Sequence, residues 1–213
     1  MSRNTQFEDR LERLSASAAI RSSDRGLWIA FAFYSPKNKL KMIVNGIPAN
    51  CHLLLCEGNP QIVGFRPISL VESGSKRVRQ SADVFYQNGE TETWVFSWEK
   101  PNSGSVSFVE PTSNVRWKCA QELEGKDILI INWIRLRAFM SAARGLSTIG
   151  ERTLIRHQMD KCECVTIGEL IDLPGVDCGL MLSEIATELA SGEIVCELEK
   201  VELRRGTVLR RML

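Results

Sequence analysis

The residues best placed to do chemistry are Asp83 and Lys100, within the stretch from Arg77 to Pro101, RVRQSADVFYQNGETETWVFSWEKP. A basic run leads into a strand carrying Asp83, an Asn88-Gly89 pair turns the chain, and a second strand rich in Trp and Phe ends at Lys100-Pro101. Metal-dependent phosphodiester hydrolysis needs carboxylates on adjacent strands to hold a divalent cation. It also needs a Lys beside them to orient the attacking water or screen the phosphate. Here one Asp and one Lys remain, and the position two before Lys100 is Trp98 instead of an acid. Trp94, Phe96 and Trp98 recur with period two and so share one strand face. Packing of these rings into a core, filling a vacated metal pocket, outweighs stacking on unpaired bases.

Strand-like segments surround this hairpin. LWIAFAFY, KLKMIV and QIVGFRPISLV read as strands, and ANCHLLLCE as a brief helix or strand. Pro101 to Thr112 is expected to be a linker or an edge loop. From about Lys118 to Arg144 a helical pair is expected, broken around Gly125 and closed by Gly145. Farther on, Thr166 is a candidate N-cap, LMLSEIATELAS is an amphipathic helix ending at Gly192, and EIVCELEKVELRRGTVLRR alternates like a β-ribbon wing. Helix, turn, helix and ribbon make a winged-helix outline. The expected organisation is a polar N-terminal segment over 1–25, a strand-rich domain over 26–150 and a small C-terminal domain over 151–213.

At 213 residues, 44% hydrophobic and 25% charged, the chain has material for one substantial core or two modest ones. No apolar run reaches membrane-spanning length, and the start MSRNTQFEDRLERL is too polar for a signal peptide, which points to the cytoplasm. Seven cysteines at irregular spacing then read as mostly buried, reduced thiols. The net charge of +1 is uninformative, but Arg and Lys cluster at 75–79, 135–144 and 204–211. These local basic faces make Lys76, Arg77, Arg79, Arg135, Arg137, Arg204 and Arg205 the candidate nucleic-acid contacts. His157, Cys162, Cys164 and Cys178 lie in one stretch, yet Cys-x-Cys is not a usual structural zinc spacing. With two His residues, no nucleophile-base triad is evident. The helix LMLSEIATELAS carries Glu184 and Glu188 and no Lys or Arg, so phosphate would repel it as a recognition helix and a protein partner suits it better.

From Ser35 onward the sequence resembles the TnsA-like endonuclease subunits of heteromeric transposons. Ser35-Pro36-Lys37 resembles that family's Ser-x-Lys opening, and LLLCEGNPQIVGFRP its Leu-Leu-Glu-Phe-Asp-Pro-x-Val pattern, with Glu57, Pro60, Val63 and Phe65 in register. SADVFYQNG is similar to its Pro-Asp strand, WEKP to its Glu/Gln-Val-Lys-Pro end, and ARGLSTIGER to a later helix-strand joint. The tail from Glu188 to Arg211 is similar to a small C-terminal module of these proteins. The resemblance implies an α/β (α+β) fold: a restriction-endonuclease-like mixed sheet flanked by helices, then a small winged-helix-like C-terminal domain. It places the first catalytic acid on Ala49 and the second acid or Gln on Trp98, leaving Asp83 as a weak lone metal ligand and Lys100 as the catalytic Lys.

The function it implies is that of a catalytically degenerate subunit of a DNA transposition complex, binding DNA or coupling a DDE-type transposase to its regulator, with no cofactor. Two alternatives follow from the same residues. One is an active endonuclease cutting transposon 5′ ends with Mg2+ or Mn2+, using Glu57 or Glu99 as displaced acids. The other is a stand-alone DNA-binding regulator built on a decayed nuclease.

Overall fold

A computed structural model of the chain describes residues 29–74, 77–101, 106–109 and 114–212. The fold is mixed α+β, with a four-strand mixed sheet flanked by helices, and it divides into two compact units. The first comprises the residues up to Cys56 together with Gln61–Glu124. The second comprises Glu57–Pro60 and Gly125–Leu213. The second unit therefore opens at Gly125, well before the boundary at 150 that the sequence suggested, because the helix after Gly125 packs with the C-terminal elements.

In the first unit, β1 (Ala30–Ser35) and β2 (Leu40–Asn45) form an antiparallel hairpin. Gly46, at φ +88°, turns the chain into α1 (Ile47–Glu57), where Pro48 sits in the first turn and forfeits no helical hydrogen bond. The four-strand sheet runs β3 (Ile62–Val71), β4 (Val78–Tyr86), β5 (Thr91–Ser97) and β6 (Val115–Cys119), in that spatial order. The first three strands are antiparallel and β6 is parallel to β5. A parallel pair requires a crossover. Its described part runs beside the end of β3, where Ser73 N–H donates to the Ser107 carbonyl at 2.7 Å and Val109 N–H to that of Val71 at 2.9 Å.

Strand β6 and the short 3-10 turn after it (Ala120–Leu123) stand where the sequence suggested the first half of a helical pair. The core of the unit joins Met42 and Val44 of β2 to Ala49, Leu53 and Cys56 of α1, at helical spacing, and to Phe65, Ala82, Val84, Trp94 and Phe96 of the sheet.

The turn Pro36–Lys39 secures the outer edge of the sheet. Lys37 Nζ donates to the Ile62 carbonyl at 2.6 Å, and Asn38, tied to Ser35 Oγ, accepts the Phe65 N–H at 3.0 Å. Backbone groups on edge strand β3 are thereby satisfied within the chain instead of being offered to another strand.

The second unit contains α2 (Asp127–Ala142), α3 (Ile149–Lys161), β7 (Cys164–Thr166), α4 (Ile167–Ile171), α5 (Cys178–Ser191), β8 (Ile194–Val195) and β9 (Val208–Arg211). Its three-strand sheet has the order β7-β9-β8, all antiparallel. Thr166 caps α4 through a reciprocal box with Glu169, as the sequence suggested. Helix α5 starts on the Asp177 cap and ends at Gly192 in the left-handed conformation (φ +79°). It is the centre of the unit: Met181, Ile185, Ala186 and Leu189 are buried, and α2 lies along it with Trp133, Leu136 and Met140. Gly58 makes room for this core, since a Cβ there would stand 2.0 Å from the Trp133 ring.

Candidate functional site

Strand alternation divides the hairpin chemistry between two faces of the sheet. Ala82 and Val84 are buried in the core that faces α1, so Asp83 between them projects to the other side. There its Oδ2 accepts a hydrogen bond from Arg66 at 2.7 Å, and its Oδ1 accepts the Thr93 hydroxyl at 3.0 Å. Both partners lie directly across the ladder, on β3 and β5. Its side chain is 14% exposed, and the guanidinium already occupies the place a cation would take.

Ala49 is fully buried on the α1 side with Trp94 and Phe96. The candidate acid position and the candidate metal ligand thus lie on opposite faces. Lys100 falls three residues beyond the end of β5, exposed and with no ion pair to any described residue.

Trp94 and Phe96 are in the core, as their spacing indicates, but Trp98 is not. It lies past the end of β5 and is 61% exposed, because the pleat that alternates the faces stops at Ser97. Of the displaced acids, Glu57 is buried and Glu99 is exposed just past the strand. Among the described residues no three of His, Cys, Asp and Glu come together as a metal site, which also applies to His157, Cys162, Cys164 and Cys178.

What the α1-facing side does hold is a set of polar partners missed in the sequence. Glu92 Oε2 accepts the Tyr86 hydroxyl at 2.6 Å and the Trp94 indole N–H at 2.7 Å, while Arg116 approaches Oε1 at 3.5 Å. Burial works against the ionised form of Glu92, but the two hydrogen bonds and Arg116 outweigh it and hold the carboxyl below its ordinary range. Conversely, burial and then the Glu92 bond push the Tyr86 phenol up. Lys118 stands 4.6 Å from the centre of the Trp94 ring and pairs with Glu122 at 3.1 Å. His52 of α1 stacks on Phe96 and lies within 3.0 Å of the Cys119 carbonyl. These groups satisfy one another around two buried aromatics, and the local signal was available: Glu92 precedes Trp94 by two residues on one strand face.

Three of the seven candidate nucleic-acid contacts are ion-paired within the chain. Arg79 pairs with Glu72 at 2.5 Å and lies 5.8 Å from the Trp117 ring centre, Arg135 pairs with Glu202 at 2.8 Å, and Arg205 pairs with Asp172. Arg137 is half-buried, Arg77 and Arg204 are exposed, and Lys76 lies outside the described residues.

The second unit departs further from expectation. Glu184 and Glu188 point inward, not outward as a repellent face. Glu184 accepts Thr148 Oγ1 at 2.5 Å and Arg152 Nε at 2.6 Å, and Glu188 lies 3.3 Å from the same Nε. Helix α5 exposes only Cys178, Gly179 and Ser191, so it has no free face for a DNA groove.

The ribbon is restrained as well. Its strands are only two and four residues long, and the loop between them is fastened to α2 by Asn132. The Asn132 amide donates to the Leu198 and Val201 carbonyls, and its oxygen accepts the Leu203 N–H, each at 2.8 Å.

All seven cysteines are free thiols, but only Cys56 and Cys119 are buried. Cys162, Cys164 and Cys178 are exposed, contrary to the expected buried majority, because they fall at the C-cap of α3, at the start of β7 and at the first residue of α5. No helix among the described residues is long and apolar enough to cross a membrane. No family model, curated protein or solved structure matches this chain.

Proposed function

We propose that this chain is a TnsA-like subunit of a DNA transposition complex in which the nuclease-like unit is catalytically silent and serves assembly, coupling a DDE-type transposase to its regulator. The observation that carries the reading is the β4–β5 hairpin. Trp94 and Phe96 pack on Ala49 where acids would be needed, and Asp83 is turned to the opposite face and neutralised by Arg66. Metal-assisted hydrolysis needs a cation held between converging carboxylates. The two carboxylates on its strands, Asp83 and Glu92, stand on opposite faces of the sheet, and each is already engaged with an arginine. Its sequence motifs and the helix preceding the mixed sheet support the nuclease-like ancestry.

In the second unit, from α3 onward, the order helix, strand, helix, helix, strand, strand, with the first strand beside the last, supports a winged-helix-like module. With α5 enclosed and the loop of the ribbon fastened to α2, that module serves protein contacts better than sequence reading. DNA is a partner through backbone contact, for which Arg204 and Arg210 are exposed and without ion pairs among the described residues.

The test is association of the full chain with the transposase and regulator of its own element, by co-purification and analytical ultracentrifugation. A stable complex formed equally by wild type and Asp83→Ala supports the reading. Sequence-specific duplex binding with no affinity for either protein would replace it with the regulator alternative.

A further inference from the structure

The second unit contains a cavity of about 230 Å3 that no part of the reading above uses. It is formed where α3, the end of α5 and the β8-β9 ribbon meet. The α5 side contributes Glu188, whose side chain is only 6% exposed. A carboxylate so deeply placed is expected to accept hydrogen bonds. No described residue donates one to it. The nearest cation is Arg152, whose Nε lies 3.3 Å away and gives its hydrogen bond to Glu184 at 2.6 Å. Burial and then the charge of Glu184 disfavour the ionised form of Glu188, against the pull of Arg152 and Arg156, and a cationic donor arriving through the cavity would restore it.

The remaining lining defines what that donor is attached to. Glu193 and Arg156 are exposed and form no ion pair among the described residues, whereas Arg211 is engaged with Asp160 at 2.8 Å. Ile155, Met159 and Ile194 supply an apolar wall. A simple cation would be attracted by the two carboxylates and repelled by Arg156. A divalent metal ion would lack a third protein ligand. The volume lies below the range of about 300–1,000 Å3 typical of pockets for drug-sized ligands, so the occupant is small.

We infer that this cavity is a binding site for a free α-amino acid with an apolar side chain. The ammonium is directed to Glu188 and Glu193, the carboxylate to Arg156, and the side chain to Ile155, Met159 and Ile194. An ammonium supplies three donors in a compact head. An exposed guanidinium with no ion pair among the described residues, drawn on internally only by the longer-range charge of Glu188, is the matching receptor for the carboxylate. This site is independent of the nuclease-like hairpin, and its failure would leave the transposition reading untouched.

The experiment is isothermal titration of the full chain with leucine and methionine, set against 3-methylbutylamine, which lacks the carboxylate of leucine, and 4-methylpentanoate, which lacks its ammonium. Leucine or methionine is expected to bind, with each half-ligand weaker by about tenfold or more, since each loses a charge-assisted hydrogen-bonding group. Glu188→Gln keeps the shape and should weaken the amino acid by about tenfold while leaving 4-methylpentanoate unchanged. Arg156→Ala, at an exposed position, should weaken the amino acid and 4-methylpentanoate together. The inference is overturned if neither amino acid binds wild type at millimolar concentration, if both half-ligands bind as well as leucine, or if Glu188→Gln binds leucine undiminished.

Discussion

Replacing Asn132 with alanine is expected to cost the second unit about 3 kcal/mol. Its amide is fully buried on α2 and makes three hydrogen bonds to the loop between β8 and β9, two as donor and one as acceptor, each 2.8 Å long. A net contribution of about 1 kcal/mol per bond gives the total. The Arg135–Glu202 pair beside them is solvent-exposed on both sides and offsets little of the loss. On a unit of this size each kcal/mol is worth about 4–8 °C in melting temperature, so the change is large. Urea unfolding followed by circular dichroism measures it, and limited proteolysis should show new cleavage between Leu198 and Leu203. Asn132→Asp is the stricter variant. It keeps the acceptor for the Leu203 N–H but sets a carboxylate against two carbonyl oxygens, and should destabilise at least as much. A loss below about 0.5 kcal/mol in the alanine variant, where three bonds at about 1 kcal/mol each are expected, would refute the fastening of the loop to α2.

Other outcomes follow from the same geometry. Burial, and then the charge of Glu184, hold Glu188 above the ordinary carboxylate range, so folding takes up a proton there. Its contribution is therefore full below the unfolded value of about 4.3 and is lost as pH rises through the folded one. Glu188→Gln should melt higher than wild type near neutral pH, with the gain fading in acid. A lower melting temperature at neutral pH would mean that attraction to Arg152 dominates. Gly58→Ala brings a methyl group within 2.0 Å of the Trp133 ring and should cost about 1–3 kcal/mol or more by denaturant unfolding. An unchanged midpoint would contradict that close approach. Ala49→Glu, at a fully buried position beside Trp94 and Phe96, should cost several kcal/mol without creating cleavage, because it buries an unpaired carboxylate. Folding as stably as wild type would show that this buried position accepts an acid.

Local patterns in the sequence carried the hairpin well. Asn88-Gly89 marks its turn, where Gly89 has φ +84°, and the two-residue period places Trp94 and Phe96 inside. The same period misplaced Trp98, since nothing local announces that β5 ends at Ser97. It also left open which face Asp83 would share, which depends on Ala82 and Val84 packing beneath α1.

Pairings between distant elements were beyond the sequence. Glu184 and Glu188 look like a solvated acidic face until Arg152, on another helix, approaches them. Arg79, Arg135 and Arg205 look like a basic surface until each meets its own carboxylate. The short strand β7 and helix α3 left too weak a periodicity to read.

The central proposal is that the hairpin does not hydrolyse phosphodiesters, and it is tested most directly by a cleavage assay on duplex DNA. Wild type and Asp83→Ala would be compared with Mg2+ and with Mn2+, each alone and with the transposase of the same element. The account predicts no cleavage attributable to this chain under any of these conditions, and identical behaviour of the two proteins. Metal-dependent nicking by wild type that Asp83→Ala abolishes would contradict it.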